Sequence, residues 1–416
     1  MAPTLAVETS PAKAKAKSSA RTATTNSIIV REPEWAELLG SNKWAGLLDP
    51  LNFFLRKWLL LWGDMAEVTY DAFNKDTNSK DYGSCLYSKE DLLTKTHFPS
   101  PSDYKVVDFL YATAKPEGLL WLVKPGANFQ GYIAVSSDDY AKQTGRREIY
   151  VAWRGTETLS EAINDLNFKQ TSVKPLFSAP PELSPFITLF SLYSLTDWLP
   201  DWLIFKLKQL VKQYKDEELS IVCVGHSLGG ALAVLSAFDI VLQGVSKNSN
   251  NDDYFPVTAV LFACPRIGNK AFRELLEKQP KLNVIHVMNE GDIVPSLPPK
   301  YIPFYGDYVD IGSTLELDWK KSPNVIKNPS YLQLHSLQLI LHLLAGWNGE
   351  RGEFEMVVKR SITLLNKTCG FVKPEYGVPA NWSTENDKGK VMNEDGVGIS
   401  YVLKLAPLCV LEKNNE

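Results

Sequence analysis

The chain has 416 residues, of which 44% are apolar and 22% are charged, a globular composition that excludes a disordered chain, a collagen-like fibre and a coiled coil. The 44 lysines and arginines against 48 aspartates and glutamates give a net charge of −4, so no global charge attracts nucleic acid or an anionic membrane. Five widely spaced cysteines without a CxxC pair indicate neither a disulfide scaffold nor a zinc site. We therefore expect a folded protein in a reducing compartment, with no metal and no cofactor.

The first 27 residues differ in composition from the rest of the chain. They are rich in Ala, Ser and Thr, carry Glu8 as their one acidic residue, and lack the apolar core of a secretory signal. We expect a disordered basic tail over residues 1–27 and a single domain over residues 28–416. The tail also resembles a plastid transit peptide, so a plastid location is the alternative to the cytoplasmic one that we expect.

The remaining pattern predicts one α/β domain. Apolar residues recur at helical spacing between Glu34 and Asn74, which predicts N-terminal helices. Short β-rich runs then alternate with helical ones, and several are apolar throughout, as in strands buried on both faces of a mainly parallel sheet. The predicted strands cover residues 131–138, 148–155, 219–227, 257–265 and 282–290. Residues 309–330 and the tail from residue 370 are predicted to be long loops and a C-terminal extension.

Residues 225–229 read Gly-His-Ser-Leu-Gly, a GxSxG motif between a β-rich run and a helical run. Strand, sharp turn and helix in this order are typical of a nucleophile elbow, whose glycines let the strand and the helix approach each other. We predict Ser227 as the nucleophile. The alternative is a serine that caps a closely packed helix.

A serine nucleophile needs a base, and the chain has five histidines. In an α/β-hydrolase the order is Ser, acid, His, and by this order His97 comes too early. His226 lies in the elbow itself, and His286 lies in mid-strand. We favour His335, which begins a helix after a loop and is expected to be partly exposed, over His342, whose apolar neighbours indicate a structural histidine.

The acid of such a site orients the histidine and stabilises its charged form. Asp292 directly follows the strand predicted over 282–290, at the carboxyl edge of the sheet where active sites collect. Position therefore selects Asp292, while Asp307, Asp310 and Glu290 remain alternatives.

Two main-chain donors must stabilise the negatively charged oxygen that forms during acyl transfer. The N–H of Leu228, directly after the nucleophile, is one predicted donor. Thr156 follows a predicted strand in the sequence Trp-Arg-Gly-Thr and is predicted to supply the other, although an ordinary glycine turn is the alternative reading.

Beyond these residues the chain resembles the class 3 lipases and, more closely, the plant class II phospholipase A1 enzymes. The resemblance covers most of residues 34–400 and includes GDMAEVTYDAFN (63–74), VAWRGT (151–156), GHSLGGALAVLSAFDI (225–240), GDIVPSLPP (291–299) and HSLQLILHLLAG (335–346). It implies an α/β-hydrolase with N-terminal helices and a lid-like insertion, in which Ser227, Asp292 and His335 form the triad and Thr156 lines the oxyanion hole. It also implies acyl-ester hydrolysis on glycerolipids, with the sn-1 ester of phospholipids first and galactolipids or acylglycerols as further substrates.

Residues 173–205 depart from the family pattern, in the region where the lid and the wall of the acyl groove belong. Four aromatic residues there are predicted to contact the substrate: Phe186, Phe190, Trp198 and Trp202. A buried helix pair is the alternative structure. Because this region is changed, an acyltransferase that uses the same triad is an alternative function. A non-catalytic lipid-binding module is a separate alternative, against which the intact Ser, Asp and His set argues. The expected partner is lipid at a membrane or lipid-droplet surface, with no nucleic acid and no stable protein partner.

Overall fold

The structure is a computed structural model that describes residues 32–113, 127–156, 170–172, 188–190, 201–247, 253–303, 306–383, 390–392 and 399–401. Contacts between residues divide the chain into a unit Met1–Glu32 and a unit Pro33–Glu416. The tail expected over residues 1–27 lies outside the described residues. Among the helices that are described, none combines the length and the apolar character needed to cross a membrane.

Within the described residues the strands are, in chain order, β1 (Tyr104–Thr113), β2 (Ala127–Ser136), β3 (Arg147–Trp153), β4 (Gln170–Ser172), β5 (Thr188–Phe190), β6 (Leu219–His226), β7 (Val257–Phe262), β8 (Leu282–Asn289), β9 (Tyr301–Ile302), β10 (Gly306–Asp307), β11 (Ser313–Leu317), β12 (Lys390–Met392) and β13 (Ile399–Tyr401). Seven of them form one sheet in the order β1-β2-β3-β6-β7-β8-β11. The strands from β3 to β11 in this sheet are parallel, and β2 runs antiparallel to both neighbours. The other strands form the antiparallel pairs β4–β5, β9–β10 and β12–β13.

The α-helices of the described residues are α1 (Trp35–Leu38), α2 (Phe53–Asp71), α3 (Leu92–Lys95), α4 (Asp138–Thr144), α5 (Asp201–Gln213), α6 (Leu228–Leu242), α7 (Lys270–Glu277), α8 (Tyr331–Leu334) and α9 (Leu337–Gly346). Short 3-10 helices cover Pro101–Asp103, Val294–Ser296, Trp319–Lys321, Ile362–Asn366 and Pro374–Tyr376. The helices predicted between Glu34 and Asn74 are therefore present as α1 and α2.

Helices cover both faces of the sheet, which explains why its central strands are apolar throughout. Every residue of β3, β6 and β7 is buried. Val222 and Val224 of β6 belong to the core that contains α2 and α9, whereas Ile221 and Cys223 belong to the core that contains α5 and α6. Successive side chains of a strand point to opposite faces, so a strand covered on both faces must be apolar at every position. The five predicted strands are confirmed.

The prediction of a continuous loop over residues 309–330 is wrong. Residues 313–317 form β11, which pairs in parallel with β8 at the edge of the sheet. Its sequence, Ser-Thr-Leu-Glu-Leu, alternates exposed and buried positions over a short length. Such a brief, half-polar run is a weak signal in a sequence, and the strand forms because β8 offers it a neighbour.

Helices α2 and α9 pack side by side, and the buried Arg56 of α2 connects them. Its guanidinium donates to the carbonyl oxygens of Leu344 and Trp347, each at 2.5 Å, and to Asn348 Oδ1 at 3.1 Å. The last carbonyl groups of a helix have no partner within the helix, so Arg56 satisfies groups at the end of α9. Burial lowers the pKa of Arg56 to about 10, which leaves the guanidinium charged at neutral pH.

A second group of charged residues connects α2 to the segment that follows α9. The Lys367 ammonium lies 2.8 Å from a Glu67 carboxylate oxygen and also pairs with Asp71, and the Arg360 guanidinium lies 2.9 Å from Asp64. Burial raises the pKa of Asp71 to about 6. Burial disfavours the charge of Lys367, but the two carboxylates outweigh it and raise the pKa of Lys367 above its ordinary value. Helix α2 is thus held to the C-terminal part of the domain by paired charges.

We predict that Arg56→Met lowers the free energy of unfolding by about 2–4 kcal/mol, because the substitution leaves buried carbonyl oxygens without donors. Urea unfolding followed by circular dichroism measures the change. The control is Lys57→Met at the next position of α2, where the side chain is exposed and a change within about 0.5 kcal/mol is expected. Equal losses in the two variants would contradict the role given to Arg56.

Candidate active site

Ser227 occupies a sharp turn between the end of β6 and the start of α6. Its backbone has φ +58° and ψ −127°, a conformation that a residue with a side chain rarely adopts. A Cβ atom on Gly225 would lie 2.1 Å from the Gly229 oxygen, and one on Gly229 would lie 2.4 Å from the Trp153 oxygen, so larger residues do not fit. The Ser227 N–H donates to the Phe262 oxygen at 2.9 Å and connects the turn to β7. This is the predicted strand, turn and helix of a nucleophile elbow.

The predicted acid and base meet directly. His335 Nδ1 lies 2.8 Å from Asp292 Oδ2, and both side chains are buried. The other carboxylate oxygen of Asp292 accepts the main-chain N–H of Val294 at 2.9 Å. With Nδ1 donating to the carboxylate, the lone pair of the neutral ring is on Nε2. His335 Nε2 is buried and has no hydrogen-bond partner among the described residues, so it is free to accept a proton.

The expectation that His335 is partly exposed is wrong, since only 4% of the residue is exposed. It lies between α8, which ends at Leu334, and α9, which begins at Leu337. The imidazole of His226 packs on it with ring centroids 4.6 Å apart, and His226 Nε2 lies 2.8 Å from the His335 main-chain oxygen. His335 is therefore held by the elbow through its main chain and by Asp292 through its side chain.

The two remaining buried histidines have structural partners. His342 Nε2 lies 2.8 Å from Ser322 Oγ, and burial lowers the pKa of His342 to about 3. His286 Nε2 accepts the main-chain N–H of Cys264 at 3.0 Å, and burial lowers the pKa of His286 to about 4. Both imidazoles are neutral at ordinary pH and remain in the core.

The alternative acids are engaged elsewhere. Asp310 accepts from Arg266 Nε at 2.6 Å, and Glu290 pairs with Lys320 at the surface. Asp307 is exposed in β10. Of the four carboxylates considered from the sequence, the structure brings Asp292 to His335.

The predicted oxyanion donors lie at the elbow. Leu228 is the first residue of α6, where main-chain N–H groups have no partner within the helix and the helix dipole favours negative charge. The turn after β3 packs against the same place, because a Cβ atom on Gly155 would lie 3.2 Å from Ser227 Cβ. Thr156 follows Gly155 and is half-buried. Leu228 is thus directly beside Ser227 and Gly155, the neighbour of Thr156, packs against it, while the role of the two N–H groups as oxyanion donors stays a prediction.

The four predicted substrate contacts fall mostly outside the described residues. Phe186 and Trp198 lie outside them, and Phe190 ends β5 with a side chain that the structure does not describe. Trp202 is half-buried in α5, against the core that contains Leu203 and Leu207. The role of these four residues, and that of the lid, stays a prediction.

Three residues that hydrogen-bond around this site were not predicted from the sequence. Asn289, the last residue of β8, donates from Nδ2 to the Leu334 oxygen at 3.0 Å, just before His335. Tyr70 of α2 hydrogen-bonds His226, a histidine whose place in the elbow excludes it as the base. Tyr70 and His226 lie within the stretches that resemble the lipase family, which is the one signal that could have selected them.

In the part of the chain that the structure describes, no three His, Cys, Asp or Glu side chains lie together as a metal site would require.

Comparison with known proteins gives relatives along most of the chain. Residues 150–302 match the family model of lipase (class 3). Phospholipase A1-II 5 of Oryza sativa subsp. japonica is 42% identical over an alignment of 391 positions that covers 87% of this chain and 81% of that protein. Phospholipase A1-IIdelta of Arabidopsis thaliana is 41% identical over an alignment of 401 positions that covers 87% of this chain and 95% of that protein.

Among solved structures, the Lip2 lipase from Yarrowia lipolytica aligns with a TM-score of 0.43 and 21% identity, over 68% of this chain and 83% of that one. The class 3 lipase match covers β6 and the elbow, and with the mostly parallel sheet flanked by helices it confirms the expected α/β-hydrolase fold. On the identity shared with its relatives over most of their length, the chain belongs to the phospholipase A1-II family of class 3 lipases.

Proposed function

We propose that the protein is a serine acyl-ester hydrolase of glycerolipids, in which Ser227 is the nucleophile, His335 the general base and Asp292 the residue that orients the base. The observation that carries the proposal is the 2.8 Å contact between His335 Nδ1 and Asp292 Oδ2, with the base held at the turn that contains Ser227. Nucleophile, base and orienting acid in this relation are the arrangement of serine hydrolases on many folds.

In the first half of the reaction Ser227 Oγ attacks the ester carbonyl carbon while His335 Nε2 takes the hydroxyl proton. The carbonyl oxygen becomes an oxyanion, which the N–H groups of Leu228 and Thr156 stabilise. The intermediate collapses, His335 gives the proton to the departing alkoxide, and the lyso-product leaves. Water then attacks the acyl-enzyme by the same steps and releases the fatty acid.

The names of the relatives support a phospholipid substrate, cleaved at the sn-1 ester. Galactolipids and acylglycerols carry the same ester and are further candidate substrates at a membrane or lipid-droplet surface. An alcohol that takes the place of water would receive the acyl group and turn hydrolysis into acyl transfer, so analysis of the products separates the two reactions. A cytoplasmic location, with a plastid as the alternative, remains part of the proposal and is tested by imaging a fluorescent fusion of the full chain.

We expect Ser227→Ala to abolish the release of fatty acid from phosphatidylcholine and to prevent labelling by a fluorophosphonate probe, because both need the Ser227 hydroxyl. Phosphatidylcholine with different acyl chains at sn-1 and sn-2, followed by mass spectrometry of the products, shows which ester is cleaved. The control is Ser236→Ala in α6, whose hydroxyl donates to the Leu232 oxygen within the helix and whose loss is expected to preserve activity.

Two outcomes would contradict the proposal. Turnover that persists in Ser227→Ala would remove Ser227 from the mechanism. A wild-type protein that neither hydrolyses lipid nor reacts with the probe would instead be a non-catalytic member of the family.

We also expect Asp292→Asn to lower kcat by about 10⁴-fold, because an amide at this position stabilises the wrong imidazole tautomer. Glu290→Gln is the matched control two residues earlier, since Glu290 forms an exposed ion pair with Lys320. Such pairs contribute about 0–1 kcal/mol, so activity close to wild type is expected. Steady-state kinetics on a soluble short-chain ester measure both variants. A larger loss of kcat in Glu290→Gln than in Asp292→Asn would show that the assignment of Asp292 as the acid is wrong.

A further inference from the structure

We propose that Tyr70 and His226 are positioning residues, and that the hydrogen-bonded chain they form fixes the oxyanion turn and the catalytic histidine relative to Ser227. The proposal rests on the serine-hydrolase mechanism proposed above and extends it to residues that do not touch the substrate. The chain runs from the Gly155 N–H to the Tyr70 hydroxyl, then to the His226 imidazole, and ends at the main-chain oxygen of His335.

The direction of each hydrogen bond follows from the groups involved. A carbonyl oxygen only accepts, so the 2.8 Å contact between His226 Nε2 and the His335 oxygen requires the proton on Nε2. Burial, followed by the effect of the nearby His335, lowers the pKa of His226 well below its ordinary value, so the ring is neutral. A neutral ring with the proton on Nε2 has a lone pair on Nδ1, and Nδ1 must therefore accept.

The Tyr70 hydroxyl supplies the proton that Nδ1 accepts. Its oxygen lies 2.9 Å from His226 Nδ1, whereas the main-chain oxygen of His226 is farther away at 3.4 Å. The same hydroxyl oxygen accepts the N–H of Gly155 at 3.1 Å. Each donor in the chain thus meets an acceptor, and the chain has one consistent direction.

These bonds connect elements that the sequence keeps far apart. Tyr70 is near the end of α2, Gly155 is in the turn after β3, and His226 ends β6 directly before the nucleophile. The packing is close: a Cβ atom on Gly155 would lie 2.3 Å from the Tyr70 hydroxyl and 2.6 Å from the His226 oxygen. One hydroxyl therefore holds the oxyanion turn against the elbow.

The catalytic consequence concerns the positions of two reacting groups. Thr156 follows Gly155, so the N–H that is proposed to bind the oxyanion moves with the turn that Tyr70 holds. His226 fixes the main chain of His335 and packs on its ring, while Asp292 fixes Nδ1. Catalytic groups must be held to within about 0.5 Å of the productive geometry, and a misplacement of about 1 Å costs roughly 10²-fold in rate.

The test begins with Tyr70→Phe, assayed on a p-nitrophenyl ester of a short-chain acid, which needs little of the acyl groove. We expect kcat to fall about 10- to 100-fold, which is less than the roughly 10²–10³-fold loss seen when an oxyanion donor is removed outright. KM should change by less than about threefold, because a positioning residue acts on the transition state rather than on ground-state binding.

Tyr132→Phe is the matched control. The Tyr132 hydroxyl of β2 is buried and donates at 2.9 Å to the Met65 oxygen of α2, the helix that also contains Tyr70, but it is not part of the chain described above. Each variant loses one hydroxyl that lies on or against α2, so both are expected to lower the midpoint temperature of thermal unfolding. Only Tyr70→Phe should also lower kcat. A Tyr70→Phe enzyme with wild-type kcat, or an equal fall in kcat in both variants, would overturn the proposal.

Two substitutions of His226 test the imidazole. Glutamine carries an amide NH2 group that donates and an amide oxygen that accepts, so it can replace both bonds of the neutral ring, whereas leucine can make neither. We expect His226→Gln to retain at least about ten times more kcat than His226→Leu, a ratio that corresponds to about 1.4 kcal/mol of transition-state stabilisation. Equal activity in two folded variants, with matching circular dichroism spectra, would show that the hydrogen bonds of His226 do not matter.

The pH profile separates positioning from an effect on the charge of the base. In Tyr70→Phe the acid limb of kcat/KM should keep its midpoint, because His226 is neutral and the hydroxyl acts through the Gly155 N–H and His226 Nδ1. A shifted midpoint would mean that Tyr70 tunes the base, and the positioning proposal would fail. The wild type and Ser227→Ala are measured alongside. If both are inactive and unlabelled by the probe, the proposed function fails as well. If the wild type is active and labelled and Ser227→Ala is neither, a failed prediction for Tyr70 or His226 contradicts the positioning proposal alone.

Discussion

The strained backbone of Ser227 is the constraint around which the rest of the site is arranged. A residue with positive φ that is not glycine costs of order 1–3 kcal/mol and persists only where its surroundings enforce it. Here β6 and α6 are both almost fully buried, the flanking glycines allow them to approach, and β7 accepts the Ser227 N–H. The strain presents the hydroxyl at the carboxyl edge of the parallel strands, where the segment after β8 also brings Asp292.

Helix α2 supports this site although it precedes the sheet in the chain. Arg56 satisfies the carbonyl groups at the end of α9, Lys367 pairs with two carboxylates of α2, and Tyr70 reaches the elbow. The segment before α9 contains His335, so the contacts of α2 with α9 bear on the position of the base. The N-terminal helices are thus part of the catalytic domain, because α2 and α9 together cover the face of the sheet that carries Val222 and Val224.

The sequence predicted the central strands well and the edge strand poorly, for a physical reason. A strand covered on both faces must be apolar throughout, and every residue of β6 and β7 is indeed buried. Such an apolar run can be recognised in the sequence without knowing which strands lie beside it. The edge strand β11 has half-polar composition and forms because β8 is next to it. The same distinction explains His335: its place after a loop indicated exposure, but the ring of His226 and the Asp292 carboxylate enclose it.

The sequence by itself determined the elbow, since Gly225, Ser227 and Gly229 are close in the chain and the turn that they form is local. It also determined the order of the three proposed catalytic residues. Its position directly after β8 also favoured Asp292 as the acid but left Asp307, Asp310 and Glu290 as alternatives. The tertiary structure decided among them, because the imidazole of His335 lies beside Asp292 whereas Arg266 and Lys320 lie beside Asp310 and Glu290. The connection between Tyr70 and His226 was also decided by the tertiary structure. Their hydrogen bonds join residues 85 and 109 positions apart, and separations of that size close only when the whole sheet and its covering helices are in place.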